Sequence, residues 1–239
     1  MTVLHLSKLH ATGNDFIVWN ALAGGVGLPD AATVSALCDR HRGIGADGFI
    51  TLGPGPDATD CSMTLQNADG GAAEMSGNGV RCLARVAAGS GVGTRDSLVV
   101  DTAAGRRAVS LVRDVSGDVV AAEVDMGSVT FDPSLIPLDA PSPFDLEFEA
   151  GGTAYRGDAA GMGNPHVVLF VADPSGVPVE QHGPLIERDP RLPKRANVEF
   201  IAVAGDAEVV MRVWERGVGE TLSCGTGACA AAAVATAAA

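Results

Sequence analysis

The sequence contains no apolar run approaching the ~18 residues of a membrane span. Its most apolar stretch, Ala228 to Ala239, is alanine-rich and carries little transfer energy. The opening MTVLHLSKLH lacks a basic segment followed by a hydrophobic one, so no secretory leader is expected. Positive charge is scarce: 16 Lys and Arg against 29 Asp and Glu leave a net charge of −13. Such a surface repels phosphate backbones and anionic bilayers, which argues against nucleic acid and membrane as partners. Cysteine is sparse and odd in number, five residues at 38, 61, 82, 224 and 229, with no CxxC and no HExxH. Neither a disulfide framework nor a zinc site is expected. What remains is a cytoplasmic protein with reduced thiols. Its 239 residues, 46% of them hydrophobic, suffice for one large or two small buried cores.

Runs rich in β-forming residues predict strands at Val3 to Leu6, Phe16 to Val18, Phe49 to Leu52 and Ser62 to Leu65. Three more follow at Leu98 to Asp101, Ala108 to Val112 and Val119 to Val124. Asp30 can cap a helix running to about His41, with Ala31, Val34, Leu37 and Cys38 on one face. Gly77-Asn78-Gly79 opens a second helix through Val80, Leu83, Ala84 and Ala87, closed by Gly89. Pro133, Pro137, Pro141 and Pro143 make a stiff connector, the best candidate for a domain boundary.

The second half echoes the first. Gly13-Asn14 returns as Gly163-Asn164 at an offset of 150, Phe49-Ile50 as Phe200-Ile201 at 151, and Ser76-Gly77-Asn78-Gly79 as Cys224-Gly225-Thr226-Gly227 at 148. The order of elements between these markers repeats too: strand pair, helix, strand pair, Gly-rich turn, helix. Near-equal offsets with repeated local chemistry predict the duplication of one α/β unit. By that symmetry the second unit ends inside its last helix and lacks roughly 30 residues of strand. An artificial boundary, an incomplete sequence and a shortened protein all fit.

Gly43-Ile44-Gly45-Ala46-Asp47-Gly48 matches GxGxxG, but a dinucleotide site needs a strand before the glycines and a helix after them. Here the order is inverted, and the segment reads as a helix-to-strand turn. Cys224-Gly225-Thr226-Gly227-Ala228 carries more. Its thiol stands at a helix N-terminal edge, where open N–H groups and the dipole favour an anion. That setting is expected to lower the cysteine pKa toward neutrality. The plain alternative, a packing cysteine, suits Cys82 and Cys229 better. Ser76, after Glu74 and Met75, holds the equivalent place in the first unit and is also an ordinary N-cap. If the units face each other, two helix starts line a cleft in which small residues let backbone amides approach a carboxylate. Asn14, Asn67, Asn164, Asn197, His166 and Glu215-Arg216 recur near these turns. Singly they read as turn formers, a structural histidine and a surface pair; jointly they suggest one polar site.

Together these residues resemble the diaminopimelate epimerase family, of the cofactor-independent group that includes proline racemase. The matching stretches are KLHATGNDFIV (8–18), RHRGIGADG (40–48), NADGGAAEMSGNGVRC (67–82), GNPHV (163–167), ANVEF (196–200) and ERGVGETLSCGTGAC (215–229). The resemblance implies an α+β fold of two pseudo-symmetric α/β domains, residues 1–127 and 128–239, each a curved sheet wrapped on a central helix. It places the active site in the cleft between them. It implies interconversion of LL- and meso-diaminopimelate by proton transfer at Cα between two cysteines, in lysine synthesis. No cofactor and no metal are implied, which suits a chain whose only lysines are Lys8 and Lys194. A homodimer acting on a small molecule is expected.

Carried over residue by residue, Cys224 is one acid/base, and Ser76 stands where the other cysteine belongs. His166 and Glu215 are implied to tune thiol ionisation. Gly77, Asn78, Gly225 and Thr226 would hold the reacting carboxylate through backbone amides. Asn14, Asn67, Asn164, Asn197, Glu215 and Arg216 would bind the substrate, with Arg216 suited to its distal carboxylate. Ser76 bears directly on chemistry, because an unassisted hydroxyl is a poor base near neutral pH. It fits an engineered Cys→Ser change or a natural one-thiol variant. Two alternatives accompany the epimerase reading: a one-thiol epimerase or dehydratase of another amino acid, and a degenerate homologue that binds without turnover.

Overall fold

The first unit, Met1–Asp125, is built on strands whose successive residues serve two different layers. The computed structural model describes residues 4–22, 24, 27–73 and 75–238 of the chain. Val3, Glu74 and Ala239, invoked above, lie outside them. In chain order come β1 (Leu6–Ala11), β2 (Asn14–Asn20), α1 (Ala31–Cys38), β3 (Gly48–Pro54), β4 (Cys61–Asn67) and α2 (Gly77–Gly89). β5 (Ser97–Thr102), β6 (Gly105–Arg113) and β7 (Val119–Val124) follow. The seven strands form one sheet in sequence order. β2 and β3 pair in parallel between antiparallel neighbours β1 and β4.

Strand alternation then sorts the side chains. Phe16, Val18, Ile50 and Leu52 join Val80, Leu83, Ala84 and Ala87 of α2 in one core. Ile17, Trp19 and Phe49 face Val34 and Cys38 of α1 in another. Burial on both faces explains why these two strands read as continuous apolar runs. α2 touches β1 and β2 at one end of the sheet and β6 and β7 at the other, so the sheet curves round the helix.

The second unit, Met126–Ala239, contains β8 (Leu146–Ala150), β9 (Thr153–Gly161), β10 (Pro165–Phe170) and α3 (Val179–Glu187). β11 (Asn197–Gly205), β12 (Glu208–Glu215), β13 (Gly219–Thr221) and α4 (Gly225–Ala237) complete it. The sheet order is β13-β12-β11-β10-β9-β8. Its centre repeats the first unit: β10 and β11 are parallel, flanked by antiparallel β9 and β12. Val168 and Ile201 pack with Ala230, Ala231 and Val234 of α4. Val167, Leu169, Val198 and Phe200 pack with Val179 and Ile186 of α3. The duplication is thus present in strand pairing as well as in sequence markers.

Four expectations need correction. The Pro133–Pro143 stretch is not the boundary: Ile136 and Leu138 between its prolines are buried in the core of the second unit. The division falls before it, at Asp125 and Met126. α1 stops at Cys38 rather than near His41, because the Asp39 carboxylate accepts the N–H groups of His41 and Arg42 and turns the chain. β1 begins at Leu6 rather than Val3, and Leu6, Leu9 and Ala11 are its half-buried residues. Finally, Phe49-Ile50 and Phe200-Ile201 are not true counterparts. Phe16 pairs with Gly48 and His166 with Asn197, so strand register matches Ile50 to Glu199.

Candidate functional site

Cys224 is the N-cap of α4 in extended conformation, and its sulfur accepts the Gly227 N–H at 3.3 Å. The residues that follow are glycine and small, so the open N–H groups of the first turn are not shielded by bulky side chains. Thr226 Oγ1 lies 3.4 Å from Cys224 Sγ and accepts from Asn164 Nδ2 at 3.4 Å. Asn164 Oδ1 meets His166 Nε2 at 2.8 Å, and His166 Nδ1 meets Glu199 Oε1 at 2.7 Å. His166 and Glu199 are both fully buried. They share the α4 face of the sheet because each lies two residues from an α4-facing neighbour, Val168 and Ile201.

Glu215, at the end of β12, accepts from Thr221 Oγ1 at 2.5 Å. Burial pushes its carboxyl above the usual range, against hydrogen bonds from Thr221 and Cys224. Burial likewise drives the Cys224 thiol well above an ordinary cysteine, and the Glu215 and Glu199 carboxylates add to the effect. The hydrogen bonds from Thr226 and Gly227 oppose it without prevailing. The expectation of a thiol lowered toward neutrality is therefore overturned: a helix tip favours an anion, but desolvation beside two carboxylates disfavours it more. The surroundings of Cys224 thus favour the thiol over the thiolate.

Asn197 spans the same unit, donating from Nδ2 to the Pro165 carbonyl at 3.2 Å and accepting the Arg216 N–H at 2.8 Å. It thereby fixes the backbone after Glu215. The Arg216 guanidinium donates to the Lys194 carbonyl at 3.1 Å.

In the first unit Ser76 reproduces the cap of Cys224: it is the extended N-cap of α2, and its Oγ accepts the Gly79 N–H at 3.0 Å. Buried Asn78 donates to Asn14 Oδ1 at 3.3 Å, the counterpart of the link between Asn164 and Thr226. Its own Oδ1 accepts from Thr12 Oγ1 at 3.3 Å and from Arg81. Asn14 donates to Asp47, which shares Arg40 with Asp15. Burial raises the Asp15 carboxyl, but Arg40 and Lys8 outweigh it and bring the pKa to about 2. Asn67 is exposed, and its backbone closes the turn through Gly70 and Gly71 after β4.

Within the second unit the structure gathers Cys224, Thr226, Asn164, His166 and Glu215, with Asn197 and Arg216 alongside. Within the first it gathers Ser76, Gly77, Asn78 and Asn14, while Asn67 ends β4 opposite Gly48, at the end of the sheet where Asn14 begins β2. Glu199 was not singled out from the sequence. Its signal was a lone charge inside the apolar strand Asn197–Gly205. Among the described residues, no cluster of three or more His, Cys, Asp or Glu could hold a metal ion, and no helix is long and apolar enough to cross a membrane.

Comparison with known proteins bears on this geometry. The family profile described as diaminopimelate epimerase matches residues 6–131 and 159–239. The chain is 46% identical over 231 residues to the diaminopimelate epimerase of Pelotomaculum thermopropionicum, covering 95% of this chain and 82% of that protein. It is 43% identical to the enzyme of that name from Moorella thermoacetica, covering 96% and 82%. Among solved structures, it is similar to a probable proline racemase from Agrobacterium radiobacter, with a TM-score of 0.70 at 17% identity over 99% of this chain and 78% of that one. A hydroxyproline epimerase from Agrobacterium vitis gives 0.65 at 19% identity, covering 98% and 76%. These two likenesses concern the fold.

Proposed function

The chain belongs to the diaminopimelate epimerase family, and from that premise we propose that it is a cofactor-independent amino-acid epimerase acting on diaminopimelate. The observation that carries the reading is the Cys224 cap: a thiol hydrogen-bonded by Gly227 and Thr226, beside a buried carboxyl at Glu215. Such a thiol can deliver a proton to a carbanion at Cα. After Glu215 takes up its proton, the thiolate can remove one. The first-turn amides at Gly225 and Thr226, and at Gly77 and Asn78, suit the substrate carboxylate. Asn14, Asn67, Asn164, Asn197 and Arg216 are assigned to the remaining polar groups of the substrate. A homodimer in the cytoplasm, serving lysine synthesis, is part of this reading.

Inversion needs proton transfer at both faces of the carbon. The resemblance puts Ser76 where the second cysteine belongs, and its hydroxyl cannot ionise near neutral pH as a thiol does. The chain as it stands is therefore expected to exchange the Cα hydrogen from the Cys224 face faster than it inverts. The test is proton NMR of LL- and meso-diaminopimelate in deuterium oxide, with the isomers resolved by chromatography. Ser76→Cys is expected to raise inversion by at least about 100-fold. If neither protein exchanges the Cα hydrogen, the epimerase reading fails.

Ser76 itself favours a second reading, in which a single strong base acts on a different amino acid with a β-leaving group and dehydration replaces inversion. Product analysis in the same assay separates the two. A chain that binds the amino acid without any exchange, even as Ser76→Cys, is the degenerate homologue.

A further inference from the structure

Two positions matched by strand register carry opposite chemistry in the two units. On the α2 face of β2 and β3 they are Phe16 and Ile50, both apolar and buried. On the α4 face of β10 and β11 they are His166 and Glu199, fully buried and 2.7 Å apart. A buried ionic pair must overcome the desolvation of both members, and an apolar pair of similar size is often at least as stable. The first unit shows that an apolar pair closes this place. Stability alone therefore does not account for Glu199.

Its surroundings leave room for a carboxylate. A Cβ at Gly227 would stand 2.5 Å from Glu199 Oε1, whereas the nearest atom to one at Gly79 would be the Ile50 Cδ1 methyl at 3.1 Å. The glycine of the α4 cap thus lets the carboxylate sit directly beneath the helix start that bears Cys224. Glu199 Oε2 is buried there with no hydrogen-bond partner, so the contact Glu199 makes is directed at His166.

We propose that Glu199 is a positioning residue for Cys224: it holds His166 with hydrogen on both ring nitrogens, so that a line of donors runs through Asn164 and Thr226 onto the sulfur. This rests on the epimerase reading above. His166 Nδ1–H donates to Glu199 Oε1 and Nε2–H to Asn164 Oδ1. The carboxamide, its oxygen so occupied, presents Nδ2 to Thr226 Oγ1. The Thr226 hydroxyl hydrogen is then free to point at Cys224 Sγ, where the Gly227 N–H already donates. Two donors on the sulfur favour the thiolate that proton abstraction requires, countering burial and the neighbouring carboxylates. Without Glu199 the ring has no acceptor for Nδ1–H and the line loses its direction.

The test uses the full chain labelled with nitrogen-15 histidine. The five histidines are told apart by the loss of the His166 signals in His166→Gln. Both His166 nitrogens are expected to resonate as N–H nitrogens in the unaltered chain. Glu199→Gln should return one of them to the bare-nitrogen position. The same change should slow Cα exchange on the order of 10- to 100-fold, mostly in kcat rather than KM. Glu199→Asp, which keeps the charge, should recover part of the loss. A bare ring nitrogen on His166 in the unaltered chain overturns the proposal, and this arm needs no variant of Glu199 to fold. So does a Glu199→Gln protein with unchanged spectrum and rate. Failure of the epimerase reading shows separately, as absence of exchange with Glu199 in place.

Discussion

At Cys224 two influences of opposite sign meet, and their balance explains what a sequence reveals at the scale of one residue. The cap was legible: a small polar residue before Gly-x-Gly, repeated at Ser76 and Cys224, has one local geometry, and both side chains accept the N–H three residues on. The raised thiol pKa was not, because burial and, after it, the charges of Glu215 and Glu199 depend on how the fold surrounds the sulfur. Glu215 carries a testable consequence. Its carboxyl pKa is raised by burial, so the fold favours the protonated form and binds more protons than the unfolded chain. The sign follows: stability falls as pH rises from the unfolded value of about 4.3 through the raised folded value. Glu215→Gln removes that loss while keeping an acceptor for Thr221. In urea unfolding the variant should match the parent near pH 4 and exceed it at pH 7, while Cα exchange falls. A parent midpoint equal to or above that of the variant at pH 7 contradicts the assignment.

At the scale of elements, helix starts and two-sided strands were legible, and ends and additions were not. α2 occupies Gly77–Gly89 as capping and glycine signals indicated. α1 is shorter than its apolar periodicity because side-chain turn chemistry at Asp39 competes with helical bonding. β13 is three residues long, too short to carry a pattern. Helices alike in length and cap also differ in what they bury. α2 contributes Val80, Cys82, Leu83, Ala84 and Ala87 to its core, and α4 contributes Ala230, Ala231 and Val234. Less apolar area removed from water means less free energy opposing local opening. Amide hydrogen exchange at neutral pH should therefore show stronger protection in the middle of α2 than in the middle of α4. Equal protection would mean that α4 is held by more than its own small side chains.

At the scale of the whole molecule, duplication set one topology twice and then let the two copies diverge in chemistry. Repeated motifs exposed the duplication, but their offsets misassigned Phe49-Ile50, since only the ladder from Phe16 to Gly48 and from His166 to Asn197 fixes which residues correspond. With the register fixed, the first unit supplies a control for the second. Copying its apolar pair as His166→Phe with Glu199→Ile exchanges a buried ionic pair for side chains of comparable volume. Glu199→Ile alone strands His166 without its Nδ1 partner and should cost about 3–5 kcal/mol. The double change removes both partners and should be neutral or stabilising by up to about 4 kcal/mol relative to the parent. Urea unfolding of the parent, Glu199→Ile, His166→Phe and the double variant measures the coupling, and Cα exchange should be lost in both variants that lack the glutamate. A double variant as unstable as the single one would mean that the pair is needed to build the second unit, and the case for its retention on chemical grounds would fall with it.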